Sequence, residues 1–389
     1  MMNSRIITII IIYVLAFLTG VNFVVFPALG TAFTATSVFA YSSSQFGSLF
    51  IPQVICIILS CLSAPFLVNK WGPKIILISG FSLMIISTGT LWLLQFFMDY
   101  KSLLFYILII LVAFTGTGFG LSITTLNPLV ASFFEDNKSS AILILQFLVG
   151  LGTSMSPLMM NIIGDVKSWM LVPGCIFILV SLFFILFLGV KLKKDTFFEL
   201  PKSFKIPYKL WIFFIAIVLY GFIEGTFGSF GAIILKNKGL DNNNASLGLS
   251  LFWAGIALNR LLFGILSRKN NLSFVFLISP LFVGILLFVL LKDPNANILL
   301  WMMFLIGFFM GSIFPGTIGW GTVEFPMLSV LVSGFLMAAN QIGTGIVTNV
   351  LGNFSDYISK ILQLLILFTL LICALFLYAK KNSKIKDAF

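Results

Sequence analysis

The stretch KLKKDTFFELPKSFKIPYK, residues 191–209, is the longest polar run in an otherwise oily chain and carries six lysines and two prolines. Charge runs with proline read as linkers, because they cannot bury enough apolar surface to fold. On each side of it lie apolar runs, each long enough to cross about 30 Å of hydrocarbon. They fall near 6–29, 46–68, 75–97, 103–133, 140–163 and 170–190 before the linker, and 210–235, 245–267, 274–291, 298–320, 329–352 and 361–379 after it. Of 389 residues, 60% are hydrophobic and 9% charged, with a mean hydropathy of +1.13. That usage is far from a soluble domain and predicts an all-α membrane protein of twelve transmembrane helices in two six-helix bundles, 1–190 and 210–389, joined by a basic linker at 191–209.

The positive charges set an orientation. With the N-terminus inside, sixteen Lys and Arg fall on the cytoplasmic side and six outside, which places both termini in the cytoplasm of a multi-pass cell-membrane protein, the inner membrane if the cell has two. The net charge of +11 then belongs to loops that meet anionic headgroups, so no nucleic-acid partner is expected. Residues 6–29 resemble a signal peptide in their small-residue flank, but the run is long enough to be retained as helix 1. Cys56, Cys61, Cys175 and Cys373 all lie in apolar runs and read as small buried hydrophobes.

The inventory of reactive groups argues against an enzyme. The chain has no His, no phosphate-binding GxxxxGK[ST] loop and no metal-ligand spacing among its cysteines. No cofactor is expected. Transport without ATP, secondary or passive, is what remains, and a monomer is the expected unit.

One acid stands out. Glu224, in YGFIEGTFGSF (220–230), sits in the middle of the seventh apolar run, where an unpaired carboxylate costs several kcal/mol. Helical geometry puts Gly221, Gly228 and Gly231 on its face, so the side chain points at protein or cargo and not at lipid. It is either a protonated packing pin or a titratable group for substrate or protons. Arg260, the only cation within a span, either reaches back to water and backbone carbonyls or takes part in a gate, with Glu324 as a competing partner at the cytoplasmic edge. Direct pairing with Glu224 would need roughly 10 Å of reach along the membrane normal. The polar residues at mid-depth, Asn22, Asn127, Gln146, Tyr220, Asn259, Asn340 and Gln341, with Trp253 as a stacking surface, form a candidate substrate lining. Amides both donate and accept, which suits a neutral hydroxyl-rich solute. Pro27, Pro52, Pro128, Pro157, Pro280 and Pro315 interrupt spans and permit bending.

The turn after the second run, NKWGPK (69–74), resembles the signature loop of the major facilitator superfamily, with Gly72 for the tight turn and Lys70 and Lys74 as its cations, the family's acid being absent. A weak echo, SRKNN, follows the eighth run. LNPLVASFF (126–134), LQFLVGLGTSMSP (145–157), YGFIEGTFGSF, LFWAGIALNRLLFG (251–264) and GSIFPGTIGWG (311–321) are similar to the fucose and glucose/galactose permease branch. That resemblance implies alternating access around a central site by a secondary transporter of a small polar solute, with Lys70, Gly72, Lys74, Arg260 and Glu324 as gating candidates. Two acids of the branch are missing: Phe23 stands where helix 1 has an Asp, and Ile123 where helix 4 has a Glu. Proton coupling, if present, would fall to Glu224. MSPLMM in run 5 lacks the efflux signature, so import is expected. The alternatives are a uniporter, or a carrier of a larger metabolite such as a drug or siderophore.

Overall fold

The computed structural model describes residues 2–134, 138–190, 192, 206–266, 273–292, 295–325, 328–353 and 358–381. The linker at 191–209 lies almost wholly outside the described residues. Twelve helical spans are present, each ending where loop residues interrupt the apolar pattern. In the first half α1 is Met2–Phe23, continued by Val25–Ala28 and Gly30–Thr34; α2 is Ser43–Ser48 and Phe50–Trp71; α3 is Pro73–Leu93; α4 is Lys101–Ala131; α5 is Lys138–Ile163; α6 is Leu171–Leu188. In the second half α7 is Tyr208–Asn237, α8 Asn242–Leu266, α9 Ser273–Leu290, α10 Ala296–Met310 with Ile313–Glu324, α11 Ser329–Asn353 and α12 Ile358–Lys381.

Nine of these are long and apolar enough to span a bilayer by length and composition alone, among the described residues. The others are α5, α9 and α11. Helices α5 and α11 are rich in Gly, Ser, Thr and Asn because they face protein, where small residues let backbones approach. By contrast α6 turns Ile178, Leu182 and Ile185 outward to where acyl chains would lie, and α7 is the most enclosed of those nine.

Several sequence-level features become geometry. Ser42 and Gln45 form a reciprocal capping box that starts α2. Gly72 takes a positive φ of 85° between α2 and α3, a conformation open to glycine, and Pro73 follows at the first helical position. Two of the spans in which proline was expected to interrupt the helix do break: α1, with Pro27, at Val24 and Leu29, and α10, with Pro315, at Gly311–Ser312.

Glycines reveal that the two halves are built alike. A Cβ on Gly20 in α1 would meet the Val149 carbonyl oxygen of α5 at 2.0 Å, and one on Gly152 would meet the Phe17 carbonyl oxygen at 2.0 Å. In the second half a Cβ on Gly221 in α7 would meet the Asn340 carbonyl oxygen of α11 at 2.3 Å, and one on Gly343 would meet the Val218 carbonyl oxygen at 2.1 Å. The same holds for the next pair. Gly116 and Gly120 of α4 press on the carbonyls of Gln53 and Ile57 in α2, while Gly307 and Gly311 of α10 press on those of Phe252 and Ile256 in α8. These crossings fix a register: Gly20 corresponds to Gly221, Val149 to Asn340, and Gln53 to Phe252. Phe23, three residues after Gly20, is therefore the counterpart of Glu224, three residues after Gly221.

The halves meet along α2 with α11 and α5 with α8. Ser44 Oγ donates to Asn353 Oδ1 at 2.7 Å, Asn161 Nδ2 to the Asn243 carbonyl at 2.8 Å, and Ser250 Oγ to the Ser154 carbonyl at 2.8 Å. Gly47 abuts Gly352, and Phe46 packs edge-on against Phe230 at 5.1 Å. These contacts run from mid-depth to the end opposite the chain termini. At the terminal end the bonds Arg5 Nη2 to the Phe133 carbonyl, Lys74 Nζ to the Leu188 carbonyl, and Lys209 Nζ to Glu324 Oε1 each stay within one half.

Candidate functional site

At mid-depth, between the halves, lies a partly open cavity. Helix α7 brings Glu224, Gly225, Gly228 and Ser229 to it, and α8 brings Trp253. Opposite them α1 and α2 present Phe23, Val24, Pro27, Phe50, Gln53 and Val54, with Gln341 and Thr344 from α11 completing the wall. The register makes the asymmetry plain: the counterparts Phe23 and Glu224 both face this space, as do Val24 and Gly225, Pro27 and Gly228, and Val54 and Trp253. Apart from Gln53, the first half supplies apolar side chains, while the second adds Glu224, Ser229, Gln341 and Thr344 beside Trp253.

Glu224 is 8% exposed, and both of its oxygens are engaged. The Tyr220 hydroxyl, one turn earlier on α7, donates to Oε1 at 2.9 Å, and Asn340 Nδ2 from α11 donates to Oε2 at 2.7 Å. Two donors of this kind stabilise an ionised carboxylate in a place that water serves poorly. The Tyr220 hydroxyl also lies within reach of the Arg260 side chain, and its ring stacks on Phe314 at 6.1 Å. Arg260 Nε in turn donates to the Gly311 carbonyl at 3.4 Å, where the α10 break frees a backbone acceptor. Tyr220 thus bridges the depth that separates Glu224 from Arg260.

The other candidates sort by neighbour. Trp253 and Gln341 line the cavity, and the Trp253 indole N–H is buried without a protein acceptor. Asn340 and Tyr220 stand one layer back, as partners of Glu224. Asn22 is buried, its Nδ2 donating to the Leu18 carbonyl at 3.2 Å, and Asn259 packs against Gly311. Asn127 and Gln146 bond to each other at 2.9 Å, joining α4 to α5. Removing one partner leaves the other amide unsatisfied, so Gln146→Leu is expected to lower stability by about 1 kcal/mol without changing the apparent affinity for solute, as thermal melts and uptake kinetics would show.

Among the gating candidates, Glu324 is the last residue of α10 and not part of the following loop, and it forms an ion pair of 2.5 Å with Lys209, at the start of α7, instead of meeting Arg260. Lys70 is exposed with its ammonium 5.3 Å from the centre of the Trp71 ring, and Lys74 caps the end of α6. Sequence reasoning missed Gln53, Phe23, Ser229 and Thr344 as wall residues. Gln53 was detectable as a lone amide in the apolar run Phe50–Cys61. Among the described residues no cluster of three or more His, Cys, Asp or Glu could hold a metal.

Comparison with known proteins agrees with this architecture. The chain is 26% identical over 311 residues to the glucose/mannose transporter GlcP of Bacillus subtilis strain 168, covering 75% of this chain and 74% of that protein. It is 24% identical over 301 residues to a TsgA homolog of Erwinia tasmaniensis, with 74% of each chain aligned. Among solved structures, a variant of the E. coli fucose:proton symporter FucP superposes with a TM-score of 0.67 at 18% identity, covering 98% of this chain and all of that one. A variant of the nucleoside transporter NupG gives 0.75 at 14% identity, over 96% and 99%. The sequence profile of the Major Facilitator Superfamily matches residues 9–348, and with twelve helices in paired bundles around a central cavity the chain belongs to that superfamily of membrane transporters.

Proposed function

We propose that this transporter imports a neutral, sugar-like solute together with a proton, and that Glu224 carries the proton. The observation behind this reading is the placement of a doubly hydrogen-bonded carboxylate on the wall of a cavity between the halves. The cavity's polar groups Gln53, Ser229, Gln341 and Glu224 suit hydroxyls, while Phe23, Phe50 and Trp253 suit the carbon face of a sugar ring. The likeness to a glucose/mannose transporter points the same way.

With both termini in the cytoplasm, the end where the halves are hydrogen-bonded together is the outer one, and we read the arrangement as an inward-facing state of alternating access.

The test is uptake into proteoliposomes of glucose, mannose, galactose and fucose, with and without an imposed proton gradient. Gradient-dependent accumulation of at least one of these sugars is the expected result; gradient-independent equilibration of a sugar would make the chain a uniporter. In the same assay Trp253→Leu should raise the apparent KM about tenfold, since it removes both the stacking face and an unused N–H donor.

A further inference from the structure

Glu224 must be stable both with and without its proton if it is to carry one, and the two states make opposite demands on their neighbours. A carboxylate accepts at both oxygens; a carboxylic acid must also donate from one. The groups that face Glu224 can be taken in turn. On its own helix the Tyr220 hydroxyl donates to Oε1, and on α8 Arg260 lies beyond Tyr220 as the nearest charge. Phe314 of α10 and Phe23 of α1 are apolar, and Gln53 of α2 lies across the cavity. On α11, Asn340 donates its Nδ2 to Oε2, while its own Oδ1 is buried with no partner.

That unused oxygen is the informative atom. Arg260 cannot accept a hydrogen bond, and the one hydroxyl proton of Tyr220 is already committed to Oε1. Asn340 alone among these direct partners has both an amide donor in use and an amide acceptor idle. Resting on the proton-carrier reading above, we propose that Asn340 is a positioning residue that serves both protonation states of Glu224 by rotating its amide. In the ionised state Nδ2–H donates to Oε2. When a proton arrives from the cavity at Oε2, the amide turns over, and the new O–H donates to Oδ1 in place of the bond that broke. Tyr220 continues to donate to Oε1 throughout. Room for the turn comes from Gly221, where a side chain would lie 2.9 Å from Oδ1. The first half shows what the position requires for packing alone: its counterpart, Val149, makes the same crossing with no polar group.

Asn340→Val borrows that counterpart and is therefore the natural test, with Asn340→Ala as the substitute if valine does not fold. Infrared difference spectra of the full chain in lipid, recorded across pH, report the carbonyl stretch of a protonated carboxyl. The band absent from Glu224→Gln belongs to Glu224, and no solute is needed to see it. In Asn340→Val its pH midpoint should move up by about one unit, the tenfold difference between losing a hydrogen bond to a charged acceptor and losing one to a neutral acceptor. Asn340→Thr, whose hydroxyl both donates and accepts, should leave the midpoint near that of the native chain. An unmoved midpoint in folded Asn340→Val, or an equal shift in Asn340→Thr, overturns the role of Asn340 and leaves Glu224 as the carrier. Absence of any titrating Glu224 band in the native chain instead overturns the carrier reading itself.

Discussion

Glu224→Gln is expected to abolish accumulation of solute against its gradient while leaving exchange of solute across the membrane intact. The glutamine keeps the size of the side chain and can still accept from Tyr220 through its carbonyl, but it cannot take up a proton. One proton moving inward through a potential of 100 mV supplies about 2.3 kcal/mol, which sustains roughly 50-fold accumulation of a neutral solute. The variant should therefore fall from that ratio to about one under an imposed gradient, measured as the steady-state internal concentration in proteoliposomes. Counterflow, which needs no net proton movement, separates loss of coupling from loss of folding. Accumulation by the variant at the native level would remove Glu224 from the coupling mechanism.

The second large effect is structural. Gly152→Leu should leave little folded protein, because its first side-chain carbon would lie 2.0 Å from the Phe17 carbonyl oxygen and 2.9 Å from the Val21 nitrogen. Both are backbone atoms of α1, so the clash cannot be relieved by a rotamer change. Ordinary overpacking costs about 1–3 kcal/mol, and separating two helices that cross at this distance costs more, against a total stability of about 5–15 kcal/mol. Size-exclusion of detergent-solubilised protein should show a loss of the monodisperse peak. The equivalent Gly343→Leu, at the matching crossing of α7 and α11, should behave alike. Gly334→Ala, with no atom within 4 Å of the added carbon, should be silent.

Much of the architecture was legible from residue patterns because the bilayer imposes one length on every span and forces each backbone bond to be made within it. Pro27 and Pro315 marked the spans that break, α1 and α10, but Pro128, Pro157 and Pro280 sit inside unbroken helices, so which prolines break a span depends on how neighbouring helices accept the freed groups. Glu224 announced itself through the cost of a charge in lipid. Its first partner was readable too: Tyr220 lies four residues earlier, on the same helical face as the three glycines. The others were not, because Asn340 is 116 residues away and Arg260 reaches the acid only through Tyr220. The pairing of Lys209 with Glu324, 115 residues apart, was hidden for the same reason. Reading each amide as lining gave too uniform a picture. Asn127 and Gln146 satisfy one another, as buried amides usually do, and only Gln341 among the expected Asn and Gln residues faces the empty space.

The matched seats of Phe23 and Glu224 carry a stereochemical consequence. A scaffold with near-equivalent halves would accept a cargo in either of two poses related by a half-turn, were its walls alike. Here Phe23 and Glu224 furnish the equivalent seats differently, so on the sugar-carrier reading a ring is expected to enter with the same edge leading in every cycle. Two epimers differing at a single carbon would then present different groups to the benzyl ring of Phe23, and chiral selectivity is the expected consequence of an unevenly furnished room.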